Sequence, residues 1–316
     1  MSGGALRPRL LARAQLLQRC REFFAARAVL EVETPVLGQS TVTDLQLASL
    51  QTRIAGRPAP YYLQTSPEYA MKRLLAAGSG DIYQICKVFR DGELGRHHNP
   101  EFTLLEWYRL GFDHLQLMDE VEALLGVLLA SLLTAPAERL SYHSAFERVL
   151  GLDPHNAPLA ALSAIAVERL GAVDPGPDRD TLLDLLMGAL VGPALGAGRI
   201  TFVHSYPASQ AALARCLPGE LALAARFEAY VGGLELCNGF HELADPAEQR
   251  RRFAADHALR AGRGLPLPPI DERLLAALQQ GLPDCAGVAL GLDRVLLLAS
   301  GGASLADVLA FDVTEA

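Results

Sequence analysis

Cysteine is sparse and unpatterned: the five in 316 residues (Cys20, Cys86, Cys216, Cys237 and Cys285) are odd in number and show no Cys-x-x-Cys or Cys/His ligand spacing. That excludes a disulfide framework and a cysteine metal site, and predicts reduced thiols in a cytoplasmic protein. Basic charge is scarce as well. Lys and Arg number 28 against 36 Asp and Glu, a net charge of −8, which disfavours broad electrostatic binding to nucleic acid. No uncharged run approaches the roughly 20 apolar residues that a membrane helix needs; the best stretch, residues 124–133, is too short. Arg7, Arg9 and Arg13 break up the N-terminal segment, so no secretory signal is expected there. Internal repeats and low-complexity tracts are absent too. So are the two common phosphate-binding fingerprints, Gly-x-Gly-x-x-Gly with its later acid and Gly-x-x-x-x-Gly-Lys-Ser/Thr.

What the chain does have is apolar material in helical and strand periods. Half of its residues are hydrophobic, enough for a core without staples, and the length alone suggests about two domains. Over residues 8–28, Leu10, Ala14, Leu17, Phe24 and Ala28 recur at helical spacing and predict an amphipathic helix. VLEVETP (29–35) alternates apolar and acidic residues like a strand that Pro35 interrupts. Residues 45–54 and 61–64 flank the turn AGRPAP and read as paired strands. Ser66-Pro67-Glu68 opens a helix: Ser caps a free amide, Pro suits the first helical position, and Glu favours the positive end of the dipole. Strands follow at 82–89 and 102–108, then a long helix at 115–133. Between 134 and 200 the composition turns to Pro, Gly and Asp, with helical pieces at 159–170 and 180–190, and reads as an inserted helical module. Strand patterns return at 200–204 and 226–242, the latter with a hairpin turn at Gly232-Gly233. Helices at 246–262 and 271–280 precede the closing segment GVALGLDRVLLLAS. The mixture predicts an α+β fold, an antiparallel sheet flanked by helices.

Three segments put charge and glycine where a plain core would not want them. The first runs from Arg90-Asp91-Gly92-Glu93 through His97-His98-Asn99-Pro100-Glu101-Phe102. An Arg at a strand end followed by a polar loop suits gripping a phosphate, because guanidinium is always charged and binds two oxygens at once; a solvated hairpin is the plainer alternative. The second is LELCNGFHEL (234–243). If the strand continues, Glu235 and Glu242 face opposite ways. If Asn238-Gly239 turns, both carboxylates reach one cleft, where they suit a hard cation such as Mg²⁺ holding nucleotide phosphates. The third is GVALGLDR (287–294), whose small residues allow close approach, with Arg294 at a helix start where a cation is electrostatically misplaced unless an anion or ring needs it.

In this order the segments are specific. The chain resembles the catalytic domain of the class II aminoacyl-tRNA synthetases, nearest to the lysyl type, over roughly residues 10–316. VLEVETP resembles motif 1, FRDGELGRHHNPEFTLLEWY motif 2, LELCNGFHEL the lysyl-type segment between the motifs, and GVALGLDR motif 3. The resemblance implies one catalytic domain over 1–316, with an insertion at about 134–200. Lysyl synthetases carry an anticodon-binding barrel before motif 1, whereas motif 1 here begins at Val29. The chain is therefore similar to the truncated lysyl-type family whose members adenylate (R)-β-lysine with ATP and transfer it to a lysine side chain of translation elongation factor P. The resemblance further implies a cytoplasmic homodimer with no tRNA substrate and no membrane association.

Carried over residue by residue, the resemblance puts Arg90 on the α-phosphate of ATP, with Phe102 and Arg294 sandwiching the adenine by stacking and cation–π attraction. Asp91, Gly92, Asn99, Leu236 and Gly291 fall at positions lining the nucleotide site. Glu235 takes Mg²⁺, and Glu242 is shared between metal and substrate ammonium. Ser66, Pro67, Glu68, Tyr108, Glu242 and Ala289 match the amino-acid pocket. Ala289 stands where many of these enzymes have Gly, so its methyl is expected to disfavour α-lysine relative to a β-amino acid. One departure stands out: the motif 2 acid two residues after the Arg is here Gly92, so that Asp91 or Glu93 substitutes or ATP binding is weakened. The alternatives are a catalytically silent paralogue that binds lysine or nucleotide as a regulator, and a tRNA-charging lysyl enzyme. His97 and His98 are expected to be loop residues without acid–base duty.

Overall fold

A computed structural model describes residues 6–173, 176, 178–219 and 221–316. They form two compact units: residues 6–113 with 242–316, and residues 114–241.

The first unit opens with α1 (Leu6–Ala25), which buries Leu16, Cys20, Phe23 and Phe24 along one face. Next come β1 (Leu30–Glu31), β2 (Leu37–Gly38), β3 (Gln51–Thr52), β4 (Tyr61–Leu63), α2 (Glu68–Ala76), β5 (Ile82–Phe89) and β6 (Glu101–Leu110). The second unit comprises α3 (His114–Leu128), β7 (Glu138–Ser141), α4 (Tyr142–Leu150), α5 (Leu159–Leu170), α6 (Arg179–Leu186), β8 (Thr201–Pro207), β9 (Cys216–Leu217), β10 (Leu223–Val231) and β11 (Leu234–His241). The chain then returns to the first unit as α7 (Pro246–Gly262), α8 (Glu272–Gly281), β12 (Cys285–Gly291) and α9 (Leu292–Ser300).

In the first unit β5, β6 and β12 form an antiparallel core, with β1 added in parallel to β5. The register sets Ile82, Tyr108 and Gly287 side by side, and Gln84, Glu106 and Ala289 beside one another. Side chains alternate across a strand, so Phe102, Glu106 and Tyr108 share one face of β6 while Thr103, Leu105 and Trp107 take the other. That second face meets α1: the Phe24 ring stacks on Tyr83 at 4.5 Å and lies edge-on to Trp107 at 5.3 Å. A small antiparallel sheet, β2-β4-β3, lies beside α2 in the chain. Local chemistry starts the later helices: Asp245 caps α7 ahead of Pro246, and Asp271 caps α8.

The second unit is an antiparallel hairpin, β10–β11, extended by β8 and then by β7 in parallel. Its own core gathers Tyr142, Phe146, Leu162, Leu182, Leu186, Val203 and Tyr206 under α4, α5 and α6. This is where the inserted module falls. Its helical pieces appear as α5 and as α6 followed by a π-turn at Met187–Val191.

Several expectations shrink on contact with tertiary structure. The strand expected over VLEVETP is ladder-paired only at Leu30–Glu31; Val32 donates one more bond to the Tyr83 carbonyl before the chain leaves the sheet toward Pro35. Of residues 45–54 only Gln51–Thr52 pairs with β4. The helices expected to reach 28 and 133 end at Ala25 and Leu128. No turn forms at Asn238-Gly239: Asn238 pairs with Glu228 and Gly239 with Phe227 in an unbroken ladder. Instead the ladder jumps from Cys237 opposite Ala229 to Glu235 opposite Tyr230, leaving Leu236 as the extra residue of a β-bulge.

Candidate functional site

The pocket side of β6 gathers most of the residues that the sequence marked. Ser66 sits two residues ahead of α2; its hydroxyl accepts the Glu68 amide at 3.0 Å and donates to Glu106 Oε2 at 2.6 Å. The N-cap itself is Pro67, one position before the first helical residue where the sequence placed it. The Tyr108 hydroxyl donates to the other Glu106 oxygen at 2.7 Å. Four residues along α2 from Glu68, one turn on, the Lys72 ammonium bonds Glu68 Oε1 at 2.7 Å and pairs with Glu242 Oε2 at 2.6 Å. Glu242 is anchored in turn by its own amide, which donates to the Cys285 carbonyl. Lys72, Glu106, Tyr108 and Glu242 are each at most 2% exposed.

Gly287 explains how so much fits. A Cβ there would fall 2.2 Å from Tyr108 Cε1 and 2.6 Å from Glu242 Oε1. The bare α-carbon thus lets a ring and a carboxylate lie against the strand. Ala289, two residues on and opposite Glu106, shares that face.

Three carboxylates against one ammonium make the pocket electrostatically incomplete. Burial, with the Glu68 charge added, pushes Glu106 up to about 7 although Ser66 and Tyr108 donate to it. Burial likewise lifts Glu242 well above the ordinary carboxylate range, with the Lys72 ammonium opposing. Burial alone would lower Lys72, but Glu242 and Glu68 outweigh it and hold the ammonium charged. An arrangement with surplus buried carboxylate is made for cations, and a Tyr hydroxyl among them adds direction.

The second cluster belongs to the 90–100 loop. The Arg90 guanidinium lies 5.0 Å from the centre of the Phe102 ring and bonds the Thr65 carbonyl and Glu93 at 3.4 and 3.5 Å. Glu93 is therefore the acid beside Arg90. Gly92 takes a φ of +79°, a backbone that favours glycine, while the Asp91 amide donates to Ala48. Arg294, in the first turn of α9, donates to the His97 carbonyl at 3.3 Å and to His98 Nε2 at 2.8 Å. Burial, then the Arg294 charge, lowers His98, which keeps Nε2 free as an acceptor; burial, then Arg96, lowers His97.

The remaining expected residues fall as follows. Pro67 directly precedes α2, and Gly291 is the N-cap of α9. Asn99 is buried and ties the loop to the C-terminal segment, donating to the Glu101 carbonyl and accepting the Val313 amide. Glu235 and Leu236 lie in the second unit on β11, Glu235 half-buried and Leu236 in the bulge. Nearby on that strand Asn238 Oδ1 accepts from Arg226, which is paired with Glu228.

Two members of the pocket escaped the sequence reading. Glu106 could have been found as the one charge inside the apolar run FTLLEWY, and Lys72 as a cation spaced i+4 from Glu68 and buried on its helix. Among the described residues no group of three or more His, Cys, Asp or Glu side chains is arranged to hold a metal ion. No helix among them is long and apolar enough to cross a membrane.

Comparison with known proteins adds the following. Residues 3–315 match the family model of the class II tRNA synthetases (D, K and N). The chain is 51% identical over 315 residues to the elongation factor P (R)-β-lysine ligase of Klebsiella pneumoniae, covering 98% of this chain and 96% of that protein. The proteins of the same name from Salmonella dublin and Salmonella paratyphi B match at the same identity and coverage.

Proposed function

Because the chain belongs to the class II tRNA synthetase family of the D, K and N type, we infer that it is an ATP-dependent ligase that adenylates (R)-β-lysine and transfers it to a lysine side chain of elongation factor P. The observation that carries the substrate is the pocket of Glu68, Glu106 and Glu242 gathered around the Lys72 ammonium. Counted as ionised groups it is short of two positive charges, the number that a diamino acid brings.

The chemistry follows from position. The amino-acid carboxylate attacks the α-phosphorus of ATP, forming the mixed anhydride and releasing pyrophosphate. The acceptor amine then attacks the activated carbonyl carbon, and AMP leaves. No protein nucleophile is needed, so the residues orient and neutralise. Arg90 neutralises the α-phosphate. Phe102 and Arg294 bracket the adenine, which requires Arg294 to give up or share its His98 contact. Phe102 stands four residues from Glu106 on the same face of β6, about 13 Å along the strand, so one substrate spans from ammonium pocket to phosphate grip.

Mg²⁺ in such a reaction screens the nucleotide phosphates and keeps several of its own waters. Glu242, nearly inaccessible and with Oε2 on an ammonium, offers a hydrated cation no room; it is assigned to the amino acid alone. Glu235, a half-buried carboxylate, suits the cation. The two units act as one catalytic domain, and the enzyme is a cytoplasmic homodimer that does not charge tRNA. Leu10, Leu11 and Leu30, apolar and exposed on α1 and β1, support the dimer. Incubating purified elongation factor P with the enzyme, ATP, Mg²⁺ and (R)-β-lysine should add the mass of one β-lysyl group to a lysine of the factor. Absence of that adduct while the enzyme forms adenylate would refute the assigned acceptor.

A further inference from the structure

Behind the proposed adenine site lies a triangle of side chains that no step above uses. Arg13, on the inner side of α1, sends one nitrogen to Asp293 Oδ1 at 2.5 Å and another to Thr103 Oγ1 at 3.4 Å. Asp293 Oδ2 accepts the Thr103 backbone amide at 2.8 Å. The Asp293 side chain is 3% exposed and that of Arg13 19%, so the pair is sheltered and its geometry constrained. Thr103 follows Phe102 in β6, and Asp293 precedes Arg294 in α9. Each vertex other than Arg13 is thus one residue from a bracketing group. The ladder between β12 and β6 ends at Gly291 opposite Leu104. The Asp293 carboxylate takes up the next amide of β6, at the point where β12 turns into a helix.

We propose that Arg13 is a positioning residue for the nucleotide: by clamping Asp293 onto Thr103 it fixes the spacing between Phe102 and Arg294. Arg294 bonds the His97 carbonyl and His98 of the loop at 3.3 and 2.8 Å, and its long side chain leaves the backbone at the first turn of α9, so the placing of that turn sets where it starts. That turn has no side-chain cap at Gly291; the Asp293 contact to β6 takes the place of one. A charge-assisted bond to a buried carboxylate is strong and directional, and Lys cannot reproduce its two-pronged contact.

The inference rests on the reading that Phe102 and Arg294 hold the adenine, and the experiment separates the two. ATP–pyrophosphate exchange with (R)-β-lysine is measured for wild type, Phe102→Ala, Arg13→Met, Arg13→Lys and Arg9→Met. Arg9 sits on the same helix and bonds the carbonyls of Ala306 and Leu309, so its loss controls for loosening of α1. Arg13→Met should raise the KM for ATP about tenfold with the KM for the amino acid within twofold of wild type. Arg13→Lys should fall between, and Arg9→Met should leave the ATP KM unmoved. Should Arg13→Met fail to fold with Asp293 unpaired, Arg13→Met/Asp293→Asn removes the stranded charge and should show the same rise. If Phe102→Ala leaves the ATP KM unchanged, the adenine reading is wrong. If Phe102→Ala raises it while Arg13→Met and the double variant do not, or if Arg9→Met raises it equally, the positioning role of Arg13 is overturned.

Discussion

Replacing Gly287 by Ala tests the pocket at the point where it is tightest. The added methyl carbon would fall 2.2 and 2.5 Å from Tyr108 Cε1 and Cδ1, and 2.6 Å from Glu242 Oε1. Ordinary carbon–carbon contact begins near 3.5 Å, so the ring must retreat by about 1.3 Å or the strand must shift. Tyr108 has little freedom to do so: it is 2% exposed, and its hydroxyl is 2.7 Å from Glu106. Overpacking of this kind costs about 1–3 kcal/mol, and a strained or broken buried hydrogen bond adds about 1–3 kcal/mol. The loss falls on the groups that receive the amino acid, whereas Arg90, Phe102 and Arg294 are not touched. With about 1.4–2.8 kcal/mol of that cost expressed in binding, the KM for (R)-β-lysine in pyrophosphate exchange should rise by roughly 10- to 100-fold, with the KM for ATP near wild type. A KM for the amino acid within twofold of wild type in a folded Gly287→Ala protein would refute the placement of Tyr108 and Glu242 at the pocket wall.

Other consequences follow from the same geometry. Lys72→Met deprives the buried Glu242 and the partly buried Glu68 of their ammonium; removing one partner of such a pair costs about 3–5 kcal/mol, so the melting temperature of a chain of this length should fall by about 5–8 °C, and an unchanged value would show that the pair is not stabilising. Glu106 titrates near 7 in the folded protein, above its unfolded value, so the folded state holds the extra proton. Its contribution to stability is complete below the ordinary carboxylate range and is lost as pH rises through about 7. Glu106→Gln should therefore gain melting temperature relative to wild type between pH 5 and 8, the histidines cancelling in the comparison; a constant difference would contradict the shift. Ala289→Gly should move the ratio of exchange rates toward α-lysine by about tenfold, and an unchanged ratio would remove the methyl from any role in selectivity.

Much of this was legible in the chain because the signals are local. The strands β5 and β6 and the Gly232-Gly233 hairpin are each decided within a few residues, and each formed as expected. The strand expected over VLEVETP shrank because a partner, not a propensity, decides where a ladder ends: only Leu30 and Glu31 find Ile82 and Tyr83 opposite them. The LELCNGFHEL segment misleads for a related reason. Asn-Gly reads as a turn, yet Glu228 and Phe227 keep it in the ladder, and the irregularity moves to Leu236. Glu106 and Lys72 stayed hidden because a charge in a strand or on a helix face reads as solvated until packing buries it. Gly92 shows the converse: a residue that looked like a lost acid is a glycine demanded by a positive φ, with Glu93 reaching Arg90 in its place.

The central claim is that this chain activates a diamino acid of the β type. The most direct test is ATP–pyrophosphate exchange by the purified wild-type protein with (R)-β-lysine, with α-lysine, and with no amino acid. The account predicts exchange strongest with (R)-β-lysine, weaker with α-lysine, and background without either. Exchange with α-lysine equal to or above that with (R)-β-lysine, or none with both, would contradict it.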